Sequence, residues 1–570
     1  MLDIIGEKTG GCPCDSVTCK QSQPLAGSKT WTSIHCISST GTRKSLRTGF
    51  SHKLQRNLQR HKRRILMGCI GLFLVILALT IFLLDPLERI IAWQTSVVDG
   101  TVVFKFWQKP PVTVLLSVYM FNVTNPQEFL EGREKLRLQE VGPFVYRELY
   151  ENTNPKFNPN GTVTFIPKRS LKFERDLSVA SPTTSYFTLP NIPFLGAASM
   201  LHSSSIFTNL GLRSLTTYLD SQPFLNLSVH DILLGYDDPL VQIAHSVLPS
   251  FVGFKSFGIL DRMYSQSEEG EIASMKAGYN AGLDPNDPDP WLHDVFSLDT
   301  YNGSPGLPQW GYGKKLVHDP VTNKSVPEEL PCNMVRGSLE GFMFPRGMTS
   351  GSKFYVYRRA FCRTFPALFE SEGVGPGGYR ALWYKLDKNS MDPLADQNSC
   401  FCDKKNEQCP PLGTSDISPC YYNIPLTLSM PHFLNGDRRL VDAVEGLNPL
   451  PEHESYLVVQ PDLGIPLSIR CKIQVNLVIK KTKLHPKVAP FNDLILPILW
   501  IDFNVKDLPF HIELLMTLAL YVGPVLQTSF TVLLAIVGSI MLLTAVFKNK
   551  NHQFYSSVVV EDSVEIDHDK

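Results

Sequence analysis

The chain has 570 residues, 43% of them hydrophobic and 19% charged, and its 54 Lys/Arg balance 54 Asp/Glu to a formal net charge of zero. This is the composition of an ordinary globular protein, long enough for several domains or one large one, and the neutral balance excludes the strongly basic class that binds nucleic acid. The charge is unevenly placed: residues 1–64 hold 12 Lys/Arg against 3 Asp/Glu, and residues 548–570 hold 3 against 5.

The chain begins with a basic tail, residues 1–64, expected to be largely disordered. Its Cys12, Cys14, Cys19 and Cys36 read as free thiols rather than a metal site. Between Arg43 and Arg64 lie nine Lys/Arg and no acid, a pattern that keeps the N-terminus cytoplasmic and attracts anionic inner-leaflet lipid. Residues 65–84, ILMGCIGLFLVILALTIFLL, carry no charge. At ~1.5 Å per residue they cross a hydrocarbon core of roughly 30 Å. With 64 residues before it and no small-residue cleavage site after it, this segment reads as an uncleaved signal anchor rather than a signal peptide. Cys69 at its inner edge is a candidate palmitoylation site.

Residues 85–513 then lie outside the cytosol. Short β-like runs are TVVFKFW (101–107), VTVLLSVYMFNV (112–123) and KFYVYRR (353–359), separated by Gly/Pro-rich connections. In contrast, residues 197–219 lack proline, and Ile206, Phe207, Leu210, Leu215 and Leu219 recur at helical spacing. The longest regular pattern is LSIRCKIQVNLVIK (467–480), whose odd positions are apolar. Strict alternation means a strand with one buried face, and its length of about 43 Å suits a barrel.

The stretch NSCFCDKKNEQCPPLGTSDISPC (398–420) brings four cysteines together. Outside the cytosol these oxidise to disulfides, and their spacing lacks the short C-x2-C hooks that zinc favours. Cys471, on the apolar side of the long strand, is left as a buried free thiol, so six cysteines remain to pair, with 15 connectivities open. Sequons at Asn122, Asn160, Asn226, Asn302 and Asn323 all fall in this part, as glycosylation requires.

No catalytic constellation appears. His453-Glu454 lacks the second histidine of a zincin helix. Gly373, Gly375 and Gly378 fit G-x-G-x-x-G only formally, with Pro376 inside it and no strand-to-helix turn. Asp284, Asp287 and Asp289 alternate with prolines as a solvated loop does, without EF-hand spacing. No enzyme activity, metal or cofactor is expected.

The second uncharged run, 514–547, exceeds one span and contains Gly523-Pro524. Proline removes a helical donor, which divides the run into a juxtamembrane segment, 514–524, and a span, 525–547. The remaining 548–570 form a cytoplasmic tail in which Tyr555 and Val558 fit a Y-x-x-Φ endocytic signal.

Nine segments occur together in one order: LSVYMFNVTNPQEFLEG (116–132), VGPFVYRE (141–148), DILLGYDDPL (231–240), SLDTYNG (297–303), CFC (400–402), LSMPHFL (428–434), EGLNP (445–449), QVNL (474–477) and PILW (497–500). They resemble the class B scavenger receptors, a family that includes fatty-acid translocase, the lysosomal integral membrane protein and the sensory neuron membrane proteins. The resemblance implies an α+β two-span membrane protein with a large extracellular antiparallel β-barrel, an apolar tunnel through it and an apical α-helical bundle at 197–232. It further implies the pairs Cys332–Cys400, Cys362–Cys420 and Cys402–Cys409, and ligand docking at the apex through Ile206, Phe207, Leu210, Leu215 and Phe224.

The expected function is that of a cell-surface receptor for lipids, namely fatty acids, sterols or carotenoids, or for lipoprotein particles, which passes hydrophobic molecules to the membrane. TTYLDSQPF (216–224) departs from the scavenging pattern, with Asp220 and no lysine, which argues against avid capture of polyanionic particles. A recognition receptor for apoptotic cells, microbes or protein cargo is the alternative, and a two-span ligand-gated channel the remote one. The channel is disfavoured because the first span offers little beyond Gly68, Gly71 and Thr80 to line a pore. Plasma-membrane residence is expected, with endosomes as the alternative; homo-oligomerisation stays open.

Overall fold

The computed structural model describes residues 43–249, 252–264, 270–277, 295–320, 323–402, 409–505 and 508–561, with side chains from 58 to 547. Cys12, Cys14, Cys19, Cys36, Asp284, Asp287 and Asp289 lie outside the described residues, as do the side chains of Tyr555 and Val558. In chain order the helices are α1 (Arg43–Leu84), α2 (Pro86–Gln94), α3 (Val102–Gln108), α4 (Pro126–Leu130), α5 (Ile192–Met200), α6 (Ile206–Tyr218), α7 (Val229–Leu234), α8 (Pro239–Val247), α9 (Ile259–Tyr264), α10 (Arg438–Asp442), α11 (Phe510–Thr517) and α12 (Gly523–Glu561). The strands are β1 (Val114–Val123), β2 (Leu138–Phe157), β3 (Thr162–Phe173), β4 (Tyr186–Pro190), β5 (Phe224–Ser228), β6 (Ala273–Lys276), β7 (Leu298–Tyr301), β8 (Leu316–Asp319), β9 (Lys324–Pro327), β10 (Phe354–Arg358), β11 (Arg363–Val374), β12 (Arg380–Leu386), β13 (Thr414–Asp416), β14 (Leu426–Ser429), β15 (Tyr456–Gln460), β16 (Ile465–Val478) and β17 (Ile495–Val505).

By contacts the chain falls into two units, residues 1–79 with 532–570, and residues 80–531. In the first, α1 meets α12 at two glycines. A Cβ on Gly71 would lie 2.8 Å from the Gly538 carbonyl oxygen, and one on Gly538 equally close to that of Gly71. Small residues are what let apolar helices approach so closely. The helices Leu58–Gln94 and Phe510–Phe547 are each long and apolar enough to cross a membrane.

The second unit is built on one antiparallel sheet of thirteen strands among the described residues, in the order β10-β11-β12-β15-β16-β17-β1-β2-β3-β6-β7, with β14 and β13 branching from β16. The expected barrel is not closed as a ladder of strands. The end strands β10 and β7 do not pair with each other; the segment 337–339 lies against both. Leu339 N–H donates to the Tyr355 carbonyl at 2.8 Å, and Leu298 N–H donates to the Ser338 carbonyl at 2.7 Å. Backbone groups that would otherwise form open edges are thus satisfied by a connecting segment.

Three other expectations change. Residues 101–107 form helix rather than strand. Thr101 caps α3 by accepting Phe104 N–H at 3.2 Å, and Val103, Phe104 and Trp107 are the buried positions. That is helical spacing, and docking Trp107 edge-on to Phe165 at 4.8 Å outweighs the β-branched propensity of the run. The uncharged run near the C-terminus is not broken at Pro524: an i→i+5 turn over Leu518–Val522 joins α11 to α12. Such a turn accommodates the donor and space that proline denies the helix.

β16 is buried on both faces rather than one. Ile473, Val475 and Leu477 enter the core, but Gln474 and Asn476 are also fully buried. The Gln474 carbonyl accepts His432 N–H at 2.7 Å, its amide donates to Asn476 Oδ1 at 2.7 Å, and Asn476 Nδ2 donates to Ser429 Oγ at 3.0 Å. The 431–433 turn meets the side that alternation assigned to solvent, and Ser429 of the neighbouring strand β14 supplies a partner there. Buried amides are tolerated because they are paired.

Candidate functional site

Helices α5 to α9 gather at one part of the second unit, and α5 to α8 are each opened by a short polar side chain. Asn191 caps α5, Ser205 caps α6, Ser228 caps α7, and Asp238 caps α8 by accepting from Leu240 and Val241 N–H. Such caps satisfy donors a helix start leaves orphaned. α5 and α6 are bracketed by the pair β4–β5, so Phe224 lies in a strand, half-buried against the core, and Leu215 is half-buried there too. The other three apical candidates stand clear: Ile206 is 69% exposed, Phe207 86% and Leu210 42%. Tyr218 is exposed as well. They share the solvent face of α6 while Asn209, Leu212 and Thr216 face inward.

One cation near this face escaped the sequence. Lys487 reaches Asp220 at 3.3 Å and donates to the Ser221 carbonyl at 3.0 Å. No local pattern connects residues 267 apart.

From the helical part, four cavities follow one another through the unit and share wall residues. The first, about 20 Å³, is apolar and lined by Ile192, Phe257, Ile259, Met263 and Phe361 among others. Met263 and Phe361 also line the second, central cavity, again about 20 Å³. Arg358 lines both that cavity and a third of about 80 Å³, whose walls include Phe365, Tyr384, Ile469 and Cys471. Phe344 joins the third to a fourth of about 900 Å³, bounded by α2 and the start of α12. There Gln527 clips the two ends of the second unit together, donating to Asp85 at 2.9 Å and accepting Leu87 N–H at 3.0 Å.

The interior is therefore not apolar throughout. The central cavity is walled by Glu148, Arg169, Glu271, Arg358 and Arg359. Arg359 pairs with Glu271, which also accepts from Tyr301 OH. Arg169 pairs with Glu340 at 3.5 Å, and Tyr150 OH donates to Glu340 at 2.9 Å. Burial alone would lower the Arg169 pKa, but Tyr150, Glu148 and Glu340 outweigh it and hold it above its ordinary value. Burial pushes the phenols of Tyr264, Tyr301 and Tyr357 upward and the Cys471 thiol up to about 11. Cys471 is unpaired and half-buried; a thiol so protonated is a poor nucleophile.

The sulfurs of Cys332 and Cys400, Cys362 and Cys420, and Cys402 and Cys409 are joined, with Cα–Cα separations of 5.7, 6.2 and 4.5 Å. Beside them Arg363 is fully buried with no carboxylate partner among the described residues. It donates to the Ser390 carbonyl at 2.9 Å and packs 4.1 Å from the Phe401 ring centre, and burial lowers its pKa to about 9. Of the sequon asparagines, Asn160, Asn226, Asn302 and Asn323 are exposed, whereas Asn122 is half-buried in β1 with its Oδ1 accepting Thr188 N–H at 2.9 Å. Cys69 is exposed on α1. Gly373 lies near the end of β11, paired with Ala381 of β12, and Gly375 and Gly378 fall in the turn between these antiparallel strands, not in a nucleotide loop. No cluster of metal-ligating side chains occurs among the described residues.

Comparison with known proteins adds three findings. A family profile described as "CD36 family" matches residues 69–549. Scavenger receptor class B member 1 of Cricetulus griseus is 30% identical over 495 residues, covering 85% of this chain and 89% of that protein. Lysosome membrane protein 2 of Homo sapiens is 28% identical over 446 residues, covering 77% and 85%.

Proposed function

The chain belongs to the CD36 family, and on that premise we propose that it is a non-enzymatic scavenger-type receptor of the cell surface. It binds lipid or lipoprotein ligands outside the cytosol and passes hydrophobic molecules to the membrane through its interior. One observation carries the reading: the cavities share Met263 and Phe361, then Arg358, then Phe344, and widen to about 900 Å³ beside the two ends of the second unit. The apolar stretches of this path suit an acyl chain because each methylene kept from water is worth ~0.8 kcal/mol. The narrow members of the series are near the smallest space that holds one water, so transfer requires them to open.

The domain scheme is proposed on the same footing, with cytoplasmic tails 1–64 and 548–570, spans 65–84 and 525–547 flanking an extracellular part 85–513, and a juxtamembrane piece 514–524. So are glycans at the exposed sequons, a palmitate on Cys69 and the Tyr555 signal. Plasma membrane, with passage through endosomes, is the proposed residence.

Ala367, in the wall of the third cavity, supplies the test. Cells carrying Ala367→Trp should bind lipid-loaded particles at the surface as wild type does, but deliver several-fold less lipid to the bilayer. Undiminished delivery by a correctly surfaced variant overturns the interior route. The exposed apolar face of α6 favours a second reading, a recognition receptor in which the interior plays no part; Phe207→Ser would then abolish capture, and Ala367→Trp would do nothing.

A further inference from the structure

Of the three arginines that line the central cavity, Arg169, Arg358 and Arg359, one is left over among the described residues once the ion pairs are assigned. Arg359 is held by Glu271, and Arg169 by Glu340 with Glu148 close enough to raise its pKa. Arg358 has no such neighbour. It is only 8% exposed, and among the described residues its guanidinium has neither a hydrogen-bond acceptor nor a carboxylate partner. It is flanked instead by the rings of Phe342 and Phe503, 5.4 and 5.6 Å from their centres. On the other side of the ledger, Glu148 is 5% exposed and its Oε2 is buried with no hydrogen-bond partner. Both residues line the central cavity, and Arg358 alone reaches on into the third. Its charge is felt there by the Cys471 thiol.

A desolvated guanidinium without an anion is unfavourable, and its planar fork matches a carboxylate. The central cavity, at about 20 Å³, has room for a group of roughly one water molecule. A carboxylate is the anionic lipid head that needs the least widening of this space, and a phosphodiester head is far larger. The apolar third cavity adjoins it on the side from which a hydrocarbon chain would extend. An outer cleft of about 840 Å³ shares Glu148 and Arg169 with the central cavity and also carries Lys109, Arg147 and Lys168 against Glu151, an excess of positive charge that draws anions.

We propose that Arg358 is the specificity-determining residue of the interior: it receives the carboxylate of a single-chain amphiphile whose tail lies in the third cavity. Glu148 is the fixed like charge that holds affinity for that head in check. This inference rests on the reading of the cavities as a lipid site.

The test compares oleate with oleyl alcohol, identical in chain and different in head, on the full-length protein in nanodiscs, corrected for empty discs. Wild type should favour oleate by about tenfold, the scale of one charge-assisted pair. Arg358→Gln should remove the preference by weakening oleate alone, Arg358→Lys should keep part of it, and Glu148→Gln should tighten oleate several-fold. Arg358→Gln retaining the preference overturns the assignment while leaving the lipid site intact. Should Arg358→Gln not fold, Glu148→Gln still decides, since unchanged oleate affinity there counts against it. Wild type binding neither probe removes the lipid reading itself.

Discussion

In β16 the side chains of Gln474 and Asn476 are wholly buried, whereas on α6 Phe207 is 86% exposed. The strand puts polar groups inside and the helix puts apolar groups outside, and the two departures have different costs. The buried amides are each hydrogen-bonded, to His432, Ser429 and one another, so they fix the register of β14 against β16 at little net penalty. Ile206, Phe207 and Leu210 of α6 lie outside the packed apolar core among the described residues. A satisfied interior is a structural device, and an unsatisfied surface is one that something else can cover.

Breaking the strand body should cost most where its far-apart segments are cross-linked. Cys332 and Cys400 lie 68 residues apart, and chain entropy gives such a loop about 4 kcal/mol. Replacing both by serine should lower the unfolding free energy by about that amount. The same change at Cys402 and Cys409, seven apart, should cost about 2 kcal/mol. Denaturant midpoints of the two pairs of variants check the ranking; equal losses would mean the long cross-link does not restrain the unfolded chain.

Asn476→Leu comes next. It leaves the Gln474 amide and the Ser429 hydroxyl buried without partners, at about 3 kcal/mol in all. A loss well below 1 kcal/mol would mean water reaches this face.

The body should also weaken in acid. His453 stacks on His432 at 4.7 Å, and burial, followed by the neighbouring His432, lowers its pKa to about 4. Because the unfolded chain protonates near pH 6.5 and the folded one does not until about 4, stability is full above pH 6.5. It is lost as pH falls between those values, by up to about 3 kcal/mol. Thermal unfolding of wild type against His453→Gln over this window reads the effect; an equal slope in both proteins removes His453 as its source.

The smallest effect on stability belongs to the other side of the comparison. Phe207→Ser should change the unfolding free energy by less than about 0.5 kcal/mol, while particle capture at the cell surface falls if α6 is the docking face. A large loss of stability would show that Phe207 has a packing partner in the folded protein.

Much of this was legible because it depends on residues near in sequence. Alternation over 467–480 marks β16, and the proline-free stretch after residue 196 marks α6 and the last turn of α5. Local pattern misled at 101–107, where β-branched residues form α3 because Trp107 has Phe165 to pack against. It misled again at Pro524, because a wider helical turn absorbs the missing donor. A closed barrel was expected from strand length, but length does not say what an edge strand meets, and here β10 and β7 meet the 337–339 segment.

The sequence by itself determined the two apolar spans, the cysteines available to pair, the long strand and the family, since each is a matter of composition, period or motif along the chain. The tertiary structure alone decided how both faces of β16 are buried, that Lys487 stands beside Asp220, and that Arg358 is enclosed between two cavities without a counter-ion among the described residues. Burial and ion pairing are properties of what lies across the fold, and residues hundreds of positions apart carry no local signal that they will meet.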